Sequence, residues 1–224
     1  MKDNSSAKVL FLDSTVFTNQ KIFLEYYSKA SSERKQKIDS YSLKKDKILS
    51  LAASVLLKLA LEKFDIPEKN QKIKNAKTGK PYLTDYKDLF FNLSHSEKIA
   101  SCVIGSSVNG IDIELVKTSR IKMAERFFSK DDTDYIFNAH TDSEKDFRFY
   151  ECWTLKEAFC KMCETPLDKI LPLPVSEIKQ NSNCFTKILK ENYVLSVCTK
   201  KDESISFEEI KLTDWYYALD FSPS

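Results

Sequence analysis

An α+β fold with antiparallel or mixed sheets is what the 224-residue chain predicts, on three observations. A hydrophobic content of 42% with 12% aromatics is enough to build a core. Short apolar runs bounded by turn residues read as strands, and longer stretches repeat their apolar residues at helical spacing. Each half of the chain offers helix first and strands afterwards, with Ser101-Cys102-Val103-Ile104 loosely echoed by Ser196-Val197-Cys198.

The elements follow in order. Residues 9–13 read as a first strand and 20–28 as a helix. Ser31 and Ser32, with Glu33 close behind, open a helical region that Leu49, Leu51, Val55, Leu56, Leu59 and Leu61 carry on to about Phe64, with Pro67 at its exit. Thr78-Gly79-Lys80-Pro81 is a turn. Residues 89–93, 99–104 and 108–116 read as strands, the first two flanking Ser94-His95-Ser96-Glu97. Helices follow over 120–128, over 130–138 behind a cap at Ser129, and over 143–163 up to Pro166. The last strands are 185–189, 193–198 and 205–212.

The first residues hold only Val9-Leu10-Phe11-Leu12 as an apolar run, too brief for a secretion signal. The longest apolar stretch, residues 49–61, carries Lys58 and is too short to cross a bilayer. A cytoplasmic protein with its six cysteines reduced is therefore expected, and Cys160 and Cys163 read as packing residues because no second ligand pair accompanies them. The net charge of +2 hides an asymmetry: residues 31–80 hold 13 Lys or Arg against 6 Asp or Glu, residues 109–164 hold 9 against 12. One stretch suits an anion and the other a cation, unless the lysines are merely a solvated face.

Two acidic clusters carry the chemistry. In Gly110-Ile111-Asp112-Ile113-Glu114 the carboxylates of Asp112 and Glu114 share one face of a strand and the isoleucines the other. In residues 153–161, Leu155, Phe159 and Met162 recur at helical spacing, and Glu157 lies about 200° around the helix from Phe159, on the face of Lys161. Three carboxylates and a lysine without a soft ligand suit a hard cation, such as magnesium, holding a phosphate. Glu157 is a candidate general base and Lys161 a phosphate clamp. The plainer alternative is an i,i+4 surface pair of the two, worth about 0.3–0.5 kcal/mol. His95, between Ser94 and Ser96 at a strand end, could donate to a phosphate, whereas His140 reads as a surface residue. Neither a GxGxxG nor a complete P-loop is present.

These residues together resemble the 4′-phosphopantetheinyl transferases, in their larger, single-chain, Sfp type. The resemblance rests on Gly79-Lys80-Pro81-Tyr82, Phe91-Asn92-Leu93-Ser94-His95-Ser96, the residues 110–114, Arg126-Phe127-Phe128-Ser129 and the residues 153–161, in the family's order and spacing. It implies transfer of the phosphopantetheine arm from coenzyme A to a serine hydroxyl of an apo acyl or peptidyl carrier protein, with release of 3′,5′-ADP. It implies Mg2+, with Mn2+ as a substitute, between the coenzyme diphosphate and Asp112, Glu114 and Glu157, and it gives Glu157 and Lys161 the roles of base and clamp. Lys80, Ser94 and His95 fall on positions that touch the coenzyme, and Arg34, Lys37 and Ser50 on positions facing its 3′-phosphate and nucleotide. The implied architecture is a pseudo-dimer of two similar lobes, residues 1–107 on the nucleotide side and 108–224 with the carboxylates, a monomer whose active site lies in the cleft between them. Neither nucleic acid nor membrane is an implied partner.

Two departures stand out. Arg34 replaces a common lysine, and Met162-Cys163-Glu164 stands where the family often has a glycine-containing loop. A basic and apolar strip, Arg120, Lys122 and Arg126 with Ile121, Met123 and Phe127, would suit docking of an acidic carrier. The competing readings are a metal-dependent nuclease, which also uses carboxylates and a lysine, and a non-catalytic module that binds coenzyme A or a carrier.

Overall fold

A computed structural model describes residues 6–67, 71–118, 121–190, 192–200 and 203–212. The chain begins with strand β1 (Ser6–Asp13), a 3-10 turn (Ser14–Thr18) and helices α1 (Gln20–Ser28), α2 (Ser32–Ser40) and α3 (Lys44–Glu62). Asn19 caps α1 through its side chain, which accepts from Lys21 N and Ile22 N, and Ser31 caps α2 by accepting from Arg34 N. The single helix expected from Ser31 to Phe64 is two: Tyr41 takes an extended backbone at the end of α2, and α3 starts afresh at Lys44 behind Leu43.

A small hairpin follows, β2 (Ile73–Asn75) with β3 (Pro81–Leu83), whose turn holds Gly79 at φ +87°. Glycine reaches that angle without the Cβ clash other residues meet. Next come β4 (Phe90–Ser96), β5 (Ile99–Gly105) and β6 (Asn109–Leu115), then α4 (Ile121–Phe127), α5 (Lys130–Phe137) and the long α6 (Asp142–Cys163). Ser129 caps α5 as expected, accepting from Asp132 N. Two short helices not foreseen in the sequence, α7 (Leu167–Ile170) and α8 (Val175–Asn181), each open directly behind a proline, Pro166 and Pro174. Strands β7 (Asn183–Leu189), β8 (Tyr193–Thr199) and β9 (Ser204–Glu209) complete the described chain.

The two halves repeat one topology. In the first, β1 and β4 flank β5, all antiparallel, with α3 packed on one face. In the second, β6 and β7 flank β8, again antiparallel, with α6 on one face. The sheets turn their other faces toward each other over a shared core that includes Val9, Phe11, Val103, Ile111, Ile113, Leu195 and Val197. The layers therefore run helix, sheet, sheet, helix. The sequence echo falls on the equivalent strands β5 and β8, but one residue out of step: Ser101 lies opposite Phe11 on the shared-core side, while Ser196 bonds Thr154 on α6.

Two expectations are corrected. The boundary at 107/108 falls in the linker between β5 and β6, but the chain does not stay in the second lobe: β9 crosses back to pair parallel with β1, and Ile210 and Leu212 join the core under α3. The first sheet is thus four-stranded and mixed. The cysteines are not all reduced, because the β7–β8 register sets Cys184 opposite Cys198 and the two are disulfide-bonded. Cys102 and Cys152 are free and buried. Among the described residues no helix is long and apolar enough to cross a membrane.

Candidate active site

Strand β6 is the edge of its sheet, and its outer row of backbone groups runs beside β4, the edge of the other sheet. Buried ladder groups must find partners, and side chains supply them. Asn92 Oδ1 accepts from Ile111 N at 3.1 Å, Ser96 Oγ accepts from Leu115 N at 3.1 Å, and Asn109 Nδ2 donates to Phe90 O at 3.0 Å. Alternate residues of β4 thus lock the lobes together in place of a ladder. Ser94 Oγ donates to Asp112 Oδ1 at 2.9 Å and Ser96 Oγ to Glu114 Oε2 at 2.7 Å, which orients both carboxylates.

The alternation read in the sequence holds: Ile111 and Ile113 are fully buried in the shared core, and Asp112 faces the other way. Helix α6 lies directly over β6 because residue 110 is glycine. A Cβ there would fall 2.0 Å from Ala158 O and 2.5 Å from Met162 N, backbone atoms that cannot turn aside. That approach brings Glu157 and Lys161 to the strand. Lys161 Nζ donates to Asp112 Oδ1 at 2.7 Å, Ile111 O at 3.1 Å and Ser94 Oγ at 3.2 Å, so its ion pair is with Asp112 rather than with Glu157. The surface-pair alternative is overturned. Burial, and then the charges of Asp112 and Glu114, push the Glu157 carboxyl above its ordinary pKa, against the pull of Lys161.

Among the described residues no three metal-ligating side chains converge tightly enough to hold an ion as they stand. The donor set nevertheless fits a hard cation. Among the described residues Asp112 Oδ2 is buried with no hydrogen-bond partner, and behind burial the charges of Asp112 and Glu114 add to the upward push on the Glu157 carboxyl.

A cleft of about 1300 Å3 opens between the lobes. It is lined by Asp112, Glu114, Glu157, Lys161, Ser94 and His95 on one side and by Arg34, Lys37, Tyr41 and Ser50 from the helices α2 and α3 on the other. Nine of the ten residues singled out in the sequence are therefore brought together. Burial lowers the pKa of Arg34, with Tyr41 opposing. Among the described residues Ser50 Oγ is buried with no hydrogen-bond partner, so this side also lacks one. Burial lowers the His95 pKa, and the Lys161 and Lys37 charges add to it against a backbone hydrogen bond and the Asp46 charge.

Lys80 is the exception. Its ammonium turns away from the cleft and donates to Lys161 O at 2.8 Å and Asn109 O at 3.0 Å. From the turn just before β3 the side chain reaches into the other lobe, while the neighbouring Gly79 and Pro81 line the cleft. The proposed docking strip is also narrower than read. Met123 packs inward with the core under α6, Lys122, Arg126 and Phe127 are exposed on α4, and Arg120 lies outside the described residues.

Sequence reasoning passed over Lys156. It is fully buried, pairs with Asp132 at 2.9 Å, donates to Leu171 O and Leu173 O, and lies over the Phe128 ring. Asp132 in turn accepts from Val175 N. The assembly fixes the turn of α6 next to Glu157. Its signal is a lysine standing in the buried stripe Phe149, Cys152, Lys156.

Comparison with known proteins converges on one group. Residues 109–219 match the family model of the 4′-phosphopantetheinyl transferase superfamily, and residues 18–108 that of the 4′-phosphopantetheinyl transferase N-terminal region. The chain is 27% identical to the 4′-phosphopantetheinyl transferase Sfp of Bacillus subtilis (strain 168) over 209 residues, 83% of this chain and 91% of that protein. It is 28% identical to the 4′-phosphopantetheinyl transferase gsp of Aneurinibacillus migulanus over 211 residues, 93% of this chain and 83% of that one. A mouse L-aminoadipate-semialdehyde dehydrogenase-phosphopantetheinyl transferase is 23% identical over 200 residues, 83% of this chain and 64% of that protein.

Proposed function

Since the chain belongs to the 4′-phosphopantetheinyl transferase superfamily, we propose that its cleft binds coenzyme A and passes the phosphopantetheine arm to a serine hydroxyl of an apo acyl or peptidyl carrier protein, releasing 3′,5′-ADP. The observation that carries this reading is a pair of buried polar atoms in one cleft that have no hydrogen-bond partner among the described residues, Ser50 Oγ on the side of Arg34 and Lys37 and Asp112 Oδ2 on the side of Glu157 and Lys161. A ligand with a phosphorylated nucleotide at one end and a reacting diphosphate at the other would satisfy both.

Arg34 and Lys37 would take the 3′-phosphate, Arg34 as a planar fork suited to bidentate contact. His95, beside Ser94, can donate to a phosphate oxygen. Asp112, Glu114 and Glu157 would hold Mg2+ or Mn2+, which when bound supplies charge neutralisation to the diphosphate oxygens. Glu157, with its proton affinity raised, is suited to accept the proton of the carrier serine as its oxygen attacks the β-phosphorus, and the bond to the 3′,5′-ADP oxygen breaks. Lys161 would follow the developing charge on the phosphate. The exposed Lys122, Arg126 and Phe127 would meet the acidic carrier. The enzyme acts as a cytoplasmic monomer.

Incubation with Mg2+, coenzyme A and an apo carrier should add the mass of the arm to the carrier. Glu157→Gln should lower turnover about 100-fold or more while the protein stays folded, and near-normal rates in that variant reject the role of base. Cleavage of DNA or RNA without carrier loading would instead favour the nuclease, and coenzyme binding without turnover the idle module. Charge reversal at Lys122 and Arg126 that left carrier affinity unchanged would rule out that docking face.

A further inference from the structure

The β2–β3 hairpin forms a wall of the cleft through Asn75, Gly79 and Pro81, yet its turn reaches past the cleft and grips the end of α6. Three bonds make the grip. Lys80 Nζ donates to Lys161 O, a carbonyl of the last helical turn, and to Asn109 O, at the start of β6. Thr78 Oγ1 donates to Glu164 Oε2. The positive charge lies against the negative end of the helix dipole, and burial nevertheless presses the Lys80 pKa down. Glu164 itself caps α6 in the left-handed region at φ +50°, where glycine would sit at ease and a side chain costs roughly 1 kcal/mol. Three successive residues of β6 are thereby tied: Asn109 O by Lys80, Gly110 by the close approach of α6, and Ile111 O by Lys161.

We infer that Lys80 is a positioning residue: with Thr78 and Glu164 it clasps the catalytic helix to the hairpin, so that a ligand pressing on the hairpin sets Glu157 and Lys161 over Asp112. The inference rests on the function proposed above for its readout in turnover. It explains a lysine that faces away from the cleft and a non-glycine residue held at a positive φ. Lys80 acts through backbone carbonyls, so a side chain of equal length without donors removes its part of the clasp and leaves the cleft lining in place.

The test is Lys80→Met, with carrier loading and calorimetric binding of 3′,5′-ADP measured in parallel. Turnover at saturating coenzyme A should fall about tenfold or more, with KM and 3′,5′-ADP affinity within about threefold of wild type. A fall of about tenfold in 3′,5′-ADP affinity with turnover kept would show a direct coenzyme contact and overturn the clasp, as would no change in either. Glu164→Gly guards against a folding defect in the first variant. It relieves the backbone and removes the Thr78 bond, so Tm should hold within about 3 °C while turnover drops severalfold; a turnover equal to wild type would count against the clasp. Amide exchange gives a reading free of activity. Coenzyme A should slow exchange at residues 162–165 in the wild type and not in Lys80→Met, and equal slowing in both overturns the inference. A wild type that loads no carrier fails the proposed function alone, and exchange then decides the clasp.

Discussion

Strands β1 and β6 hold the same place in two copies of one topology, and they do opposite work. Leu10 on β1 lies opposite Cys102 on the central strand and faces α3; Asp112 on β6 lies opposite Ser196 on its central strand and faces α6. One position is core and its counterpart is the heart of the cleft. The difference traces to the last strand. By pairing with β1, β9 turns it into an interior strand, whereas β6 keeps an open edge whose backbone groups must be met by Asn92, Ser96, Lys80 and Lys161. A duplicated frame gains a site where one copy is left uncovered.

The sharpest test of that contrast is a matched pair of substitutions. Asp112→Asn should lower turnover about 100-fold or more, since it removes the carboxylate that holds Lys161 and offers Oδ2 to a cation, and should leave the fold intact. Leu10→Ala empties a fully buried site and should cost about 2–5 kcal/mol in chemical denaturation, while the folded fraction turns over nearly as before. If Asp112→Asn unfolds the protein, or Leu10→Ala loses activity while folded, the division of labour between the strands is wrong.

The glycines sharpen the same comparison one step down. Gly110→Ala drives a Cβ into the backbone of α6 and should cost about 3 kcal/mol together with activity. At Gly105, at the end of β5, the nearest atom to an added Cβ is the Glu203 Oε1 side-chain oxygen at 2.6 Å, with Ala7 at 3.2 Å. Glu203 is itself engaged with Ser106 and Ser107, so Gly105→Ala should destabilise, but by less and without a specific loss of turnover. Equal effects on turnover per folded molecule would mean that the α6–β6 spacing does not govern the site.

Arg34→Ala comes next. It should weaken coenzyme A binding about tenfold, the scale of one charge-assisted contact, and should barely affect dephospho-coenzyme A, which lacks the 3′-phosphate. Equal losses for the two, measured by calorimetry, would remove Arg34 from that subsite.

What could be read in advance was local. The alternation of Ile111 and Ile113 with Asp112 and Glu114 and the cap at Ser129 belong to neighbouring residues, and these were legible. The resemblance to a known family added Arg34, Lys37 and Ser50, which composition alone would have left as part of a lysine-rich face. What escaped depends on residues far apart in sequence. Nothing near 205–212 says that β9 will leave its own half for β1, and a lysine following Gly79 does not disclose a carbonyl at residue 161 as its partner. Lys156 was hidden for a related reason: in a motif rich in charge, its place on the buried stripe is what separates it from Lys161, and Asp132, brought in from α5, neutralises it.

The smallest expected effect concerns the proton on Glu157. Its folded-state pKa stands above the unfolded value because of burial and then the Asp112 charge, so the folded form binds the proton more tightly. Stability from this group is therefore greatest at pH below the ordinary glutamate range and is lost as pH rises through the elevated folded value. Glu157→Gln cannot ionise and escapes that loss. Its Tm relative to wild type should climb as pH is raised through that window, by no more than a few degrees, and a difference independent of pH would show that the carboxyl is not held protonated. Asp112→Asn should bring the Glu157 titration, followed by carboxyl NMR, back toward the ordinary range, because it removes a repelling charge and frees Lys161 to turn to Glu157. A titration that stayed where it was would leave burial as the sole cause, and the carboxylates on β6 and α6 would not act as one cluster.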